Sequence, residues 1–132
     1  MQNILKEAIK SYIESIEADV VECKSNPKKG FVAKISTNGD FNYDIFIVLP
    51  ESKLKYIANL WFGEGEFDAD DLTKEIANLI VGNAKVVASN KGINFDISTP
   101  EFLGEYNNNI DYDDILKYKF KNRCFYIAFK GK

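Results

Sequence analysis

Histidine is missing from the 132 residues of this chain, and cysteine is scarce, with two. Without imidazole, Ser-His-Asp and Cys-His nucleophilic catalysis are excluded, as are imidazole acid/base work and every metal site that needs a histidine ligand. Cys23 and Cys124 lie about 100 residues apart with no CxxC spacing. That pattern points to neither a zinc site nor a dithiol redox motif, and the expectation is a pair of buried free thiols. Excess positive charge is also lacking: the net charge is −3 and the pI is near 5.0. Nucleic acid and anionic membranes are therefore disfavoured as partners, because both need a basic surface to displace counterions. The basic residues of 117–132 alternate with aromatics, as in an amphipathic strand. No apolar run approaches the roughly 18 residues that cross a bilayer. The opening MQNILKEAIKSYIE is interrupted by charges, unlike a signal peptide. Location in the cytoplasm, without membrane insertion, is the expectation. A glycine-rich phosphate loop and a convergent basic pocket are missing too, which removes the support for a small-molecule-binding domain.

What is present is a composition of 45% hydrophobic and 28% charged residues, with the apolar ones spread along the whole length. This is the profile of one folded domain over 1–132. Leu5, Ile9, Tyr12, Ile13 and Ile16 recur at helical spacing and predict a helix over 2–17. FVAKIS and YDIFIVLP, separated by the turn-forming STNGD, predict a hairpin that Pro50 closes. Leu54, Ile57, Ala58 and Trp61 predict a helix over 51–63, stopped at Gly63. An acidic linker, GEGEFDADD, leads into a helix over about 70–89, with Asp68, Asp70 and Asp71 suited to its positive end rather than to a calcium loop. INFDIS is a short strand ending before Pro100, EYNNNIDYDDI reads as a polar loop, and 117–130 as a closing hairpin turning near Lys121 and Asn122. The mixture lacks the regular alternation of a doubly wound parallel sheet. The fold class is therefore α+β, with an antiparallel or mixed sheet packed against long helices.

The segment DLTKEIANLIVGNAK carries the functional signal. At about 100° per residue, Leu72, Ile76, Leu79, Ile80 and Val87 share one side, while Asp71, Glu75, Asn78, Gly82 and Lys85 share the other. Asn and Gly are poor helix formers, and Gly82 alone costs about 1 kcal/mol against Ala in a helix interior. A missing side chain one turn beyond Asn78 lets another molecule approach the helix backbone, with Glu75 and Asn78 as the protruding groups. The competing reading is that Gly82 relieves packing against a neighbouring strand. Lys85 is accounted for by solubility.

Asp71-x3-Glu75-x2-Asn78, followed after 21 residues by Pro100, resembles the signature of the CheC/CheX/FliY chemotaxis phosphatases. EIANLIVGNAK followed by GINFDISTP looks like the CheX arrangement, and STNGDFNYDIFIVLP resembles its upstream hairpin, so that the likeness covers roughly 30–104. Ten Glu and thirteen Asn residues make a lone Glu-x2-Asn pair expected by chance, and Glu105-x2-Asn108 is one. That second pair lacks helical periodicity and a suitably placed proline. The full four-part pattern is far more specific in a chain with three prolines. CheC carries two such helices and CheX one. Glu7 is followed by Lys10 and Glu14 by Glu17, so the first predicted helix lacks the pair and the CheX form is the closer match.

The resemblance implies a phosphatase acting on the phosphoaspartate of a CheY-like response regulator. Asn78 would orient water, Glu75 would engage the regulator's lysine, Asp71 and Pro100 would support the site, and Gly82 would admit the partner. It implies no cofactor or metal on this chain, Mg2+ in the regulator, and a homodimer. The rival reading is a noncatalytic adaptor of the same fold that binds a regulator or flagellar component.

Overall fold

A computed structural model of the chain describes residues 7, 21–27, 29–50, 69–106, 110–120 and 123–131. Apart from Glu7, the predicted helix over 2–17 lies outside the described residues, as do the predicted helix over 51–63, Asp68, and the turn at Lys121 and Asn122. In chain order the described elements are β1 (Val21–Glu22), β2 (Phe31–Gly39), β3 (Tyr43–Leu49), α1 (Ala69–Asn90), β4 (Phe95–Ile97), β5 (Glu101–Glu105), β6 (Asp114–Phe120) and β7 (Arg123–Gly131). The strands form one sheet in the order β1-β6-β7-β3-β2, with β4 and β5 both on the far side of β2. Every pairing is antiparallel, and α1 packs on one face, as the α+β reading requires. No described helix is long and apolar enough to cross a membrane.

The predicted β2–β3 hairpin forms with Ala33 opposite Ile47 and Ile35 opposite Ile45. Period-two alternation sends these four residues, together with Leu49, Phe125, Ile127 and Phe129, to the inner face. There they meet Leu72, Ile76, Ile80, Val81 and Ala84 of α1. Ile76 and Ile80 are completely enclosed, and burial of each side chain is worth about 2–3 kcal/mol in transfer free energy.

The outer face departs from expectation. Strands β3 and β7 are buried on both sides, because side chains beyond β5 cover their outer face. Tyr106, Ile110 and Tyr112 pack with Val32, Phe46, Val48, Tyr126 and Ala128. The stretch predicted to be a plain polar loop thus carries apolar residues that cover the sheet, its last residues already belong to β6, and its residues 107–109 lie outside the described ones. It is anchored by the Tyr106 amide donating to the Gly30 carbonyl at 2.7 Å and the Asp113 amide donating to that of Phe129 at 2.7 Å. Strand β5 was not anticipated either. It pairs with Phe31–Lys34 of β2 through a register shift between Val32 and Ala33, with Gly104 at a φ of +84°. Such a bulge is invisible to a period-two reading.

The cysteine expectation is corrected. Cys23 and Cys124 are joined in a disulfide, with their Cα atoms 5.8 Å apart. Strand β1 pairs with β6 at Glu22↔Tyr118, and β6 pairs with β7 at Lys119↔Cys124. Two residues 101 positions apart thereby become neighbours through pairings that linear spacing does not encode. The bond lies beside the Ser25 hydroxyl, 3.2 Å from the Cys23 sulfur and 3.3 Å from the Tyr126 hydroxyl.

Candidate active site on the exposed face of α1

Helix α1 begins with Asp70 and Asp71 in its first turn, where carboxylates favour the positive end of the dipole. Asp70 also meets Lys74 one turn on, at 2.6 Å. At the other end the Ile93 amide donates to the Ala88 carbonyl at 2.9 Å and the Gly92 amide to that of Ser89 at 3.1 Å. With Gly92 at a φ of +78°, this is a Schellman stop, which needs a left-handed residue at that position. The connection beyond is fixed to the β2–β3 turn: the Asn94 amide donates to the Asp40 carboxylate at 2.8 Å and the Asp40 amide to the Asn94 carbonyl at 3.0 Å. Both ends of the helix are thus defined, and its roll about the axis is set by the buried face.

Thr73, Ile76, Ala77, Ile80, Val81, Ala84 and Ala88 face the core. Leu79 and Val87, expected on that side, lie half-buried at its margins, while Val81 joins it unanticipated. Asp71, Glu75, Asn78 and Lys85 are exposed on the opposite face, with Gly82 among them and half-exposed. Among the described residues Glu75 and Asn78 form no hydrogen bond or ion pair, so their functional groups are available to a second molecule. Lys85 reaches sideways to Asp96 of β4 at 3.8 Å; both groups are solvated, so the pair adds little stability. The Asn83 amide bends back to the Leu79 carbonyl at 2.8 Å.

Gly82 stands at the crest, directly opposite the core. A methyl group added there would meet nothing within 4 Å outside the helix itself. The packing explanation for this glycine is therefore removed: no described strand approaches it, and Ala would stabilise the isolated chain by about 1 kcal/mol.

Pro100 is half-buried in the connection between β4 and β5. Strand β4 pairs with Thr37–Gly39 and β5 with Phe31–Lys34, so the chain changes its pairing between them. The Ser98 amide donates to the Ser36 carbonyl at 2.8 Å, and the Ser36 amide to the Ser98 hydroxyl at 2.9 Å. Proline, lacking an amide proton, suits the break that follows. Pro100 thus belongs to the sheet beneath α1 and not to the exposed face that carries Asp71, Glu75, Asn78 and Gly82. Among the described residues no group of three or more Cys, Asp or Glu side chains is placed to hold a metal ion.

This arrangement offers a carboxylate and a carboxamide three residues apart, with no nucleophile beside them. Chemically it can hold a cation and orient a small hydrogen-bonding molecule, in a reaction whose electrophile arrives on another protein.

The family model described as Chemotaxis phosphatase CheX matches residues 31–121. Among solved structures, the chemotaxis protein CheX from Vibrio vulnificus superposes with a TM-score of 0.75 at 18% identity, over 98% of this chain and 97% of that one. The chemotaxis protein CheX from Desulfovibrio desulfuricans gives 0.72 at 18% identity, over 98% and 97%. The CheX-CheY-BeF3-Mg+2 complex from Borrelia burgdorferi gives 0.71 at 19% identity, over 97% and 96%. At such identities the likeness is one of fold. No curated protein matches the sequence.

Proposed function

This chain belongs to the CheX family of chemotaxis phosphatases, which dephosphorylate CheY-like response regulators, and we propose that Asn78 and Glu75 of α1 carry that reaction here. Phosphoaspartate is an acyl phosphate. Water attacks phosphorus, the bond from phosphorus to the aspartyl oxygen breaks, and the products are the free carboxylate and inorganic phosphate. The compound hydrolyses unaided, so catalysis consists of placing water in line and holding it there.

Asn78 suits that task because its carboxamide accepts a hydrogen bond from water while remaining neutral beside a phosphoryl group, where a carboxylate would be repelled. Glu75, one turn nearer the N-terminus, pairs with the regulator's active-site lysine. Asp71 and Pro100 support the site from the helix start and the β4–β5 connection. Gly82 lets the regulator approach the helix backbone. The Mg2+ of the reaction is held by the regulator's own acids, as the composition of the Borrelia burgdorferi complex agrees with, and this chain contributes no cofactor. The chain works in the cytoplasm, where response regulators reside. It acts as a homodimer, for which the sheet edges at β1 and at β4 and β5 provide pairing surfaces.

The observation that carries the assignment is the pair of exposed polar side chains, Glu75 and Asn78, without a partner among the described residues and projecting from a helix whose other face is locked into the core. The test is to mix the purified protein with phosphorylated receiver domains and follow loss of the phosphoryl label against spontaneous decay. Acceleration by sub-stoichiometric protein is expected. Binding of the phosphorylated receiver with an unchanged decay rate would instead identify an adaptor. Sedimentation at tens of micromolar tests the dimer separately.

A further inference from the structure

Val86 is the most exposed large apolar side chain among the described residues, at 59%, and it stands on the polar side of α1. Eleven residues separate it from Glu75. At 100° and 1.5 Å per residue it lies within about 20° of the same line along the helix, about 16 Å away. Between them on that line are only Leu79, half-buried, and Gly82, which has no side chain. The two polar groups that flank this strip are both turned aside: Asn83 onto the Leu79 carbonyl at 2.8 Å and Lys85 onto Asp96 at 3.8 Å. Immediately beyond Asn78, therefore, the helix presents a flat apolar floor of Leu79, Gly82 and Val86, open to solvent and continuous with the Glu75–Asn78 pair. Two of these residues are poor choices for an exposed helix position, Gly for its backbone freedom and Val for its restricted rotamers. Nothing among the described residues requires either.

We infer that the Leu79–Gly82–Val86 floor is the apolar half of the docking surface for the phosphorylated receiver domain, with Val86 taking an apolar side chain of that domain about 12 Å along the helix from Asn78. This rests on the reading of Glu75 and Asn78 given above. The occupant follows from continuity: a partner that seats its phosphoaspartate against Asn78 and its lysine against Glu75 must also cover the next two turns of the same face. Polar groups at one end and an apolar floor at the other fix the direction in which the receiver lies. The floor thereby confers orientation and affinity, while the polar pair confers rate.

The test compares wild type with Val86→Lys and Val86→Ile, by titration against a beryllofluoride-activated, magnesium-loaded CheY-like receiver domain and by steady-state dephosphorylation. Lys is a better helix former than Val, so the fold is retained, and circular dichroism verifies it. Val86→Lys places a charge under the partner and is expected to weaken binding and raise KM about tenfold or more, with the smaller change in kcat. Val86→Ile should restore both. Unchanged binding and KM in Val86→Lys, or a loss confined to kcat, overturns the inference while leaving the Glu75 and Asn78 assignment standing. Wild-type protein that neither binds the activated receiver nor accelerates its dephosphorylation overturns both.

Discussion

The chain carries a Glu-x2-Asn pair twice, once on the crest of α1 as Glu75 and Asn78 and once as Glu105, the last residue of β5, with Asn108, which lies outside the described residues. Glu75 and Asn78 sit on a helix, where a three-residue step brings both side chains to one face, whereas Glu105 ends a strand. The regions around them differ in a second way. On the crest the polar groups of Glu75 and Asn78 have no partner among the described residues. Around the cover the polar groups are spent on structure: Asp113 accepts from the Gly131 amide at 2.9 Å and from the Lys130 ammonium at 3.2 Å, and Lys117 donates to Asn26 at 2.5 Å. Surface polar groups can thus have opposite roles. An exposed polar group is a candidate for chemistry when its own chain leaves it unused.

The sharpest test of that contrast is a paired substitution. Asn78→Ala removes the water-orienting amide and is expected to cut the acceleration of phosphoaspartate loss about a hundredfold with the melting temperature unchanged. Asn108→Ala should leave the rate as it is. Equal losses in a phosphate-release assay would erase the distinction between the two regions.

Substitutions in the cover should do the reverse. Tyr106→Ala opens a cavity over Val32 and Val48 and is expected to destabilise the fold by about 3 kcal/mol in urea titration. The rate per folded molecule should hold. Reduction of the Cys23–Cys124 bond releases a tie spanning 101 residues and is expected to lower stability by about 2–4 kcal/mol, read as the melting temperature with and without dithiothreitol. An accompanying loss of activity below the melting range would show that the outer face and the helix crest are coupled.

Gly82→Ala divides stability from function at a single position. It should raise stability by about 1 kcal/mol while weakening receiver binding, because the added methyl would meet nothing within 4 Å outside the helix itself and would stand on the face the partner covers. A gain in stability with undiminished binding would return Gly82 to the class of neutral surface residues.

The smallest expected effect concerns acid. The Gly131 amide and then the Lys130 ammonium hold the Asp113 carboxyl below its ordinary value of 3.8. A group with a depressed folded-state pKa contributes stability that is fully present above that ordinary value and is lost as pH falls through the folded one. Asp113→Asn should therefore lower the melting temperature slightly at neutral pH and flatten its decline below about pH 4, with the acid limit unaltered; the change is small, since the carboxylate is exposed.

Much of the molecule was legible in the linear order of residues. The β2–β3 hairpin, the length of α1, its buried stripe and the exposed set of Asp71, Glu75, Asn78 and Gly82 all follow from local periodicity, which reports each residue's face directly. Strand β5 escaped notice because its register slips at a bulge, and the cover because its apolar residues, Tyr106, Ile110 and Tyr112, are spaced irregularly among Asn and Asp. Periodicity has nothing to say about a segment that crosses a sheet only once.

What the sequence by itself determined, then, is the identity and face of the polar pair. The helical step is a property of the backbone, and three residues along it always bring side chains to the same side. The tertiary structure decided everything that depends on which distant segments become neighbours. It joined Cys23 to Cys124 where free thiols were expected, turned a polar loop into the lid of a second core, and left open space above Gly82 where a strand could have lain. The physical reason is that strand pairing is set by hydrogen bonds between segments far apart in the chain, each compatible with several partners, and the choice among them is made only when the whole core closes.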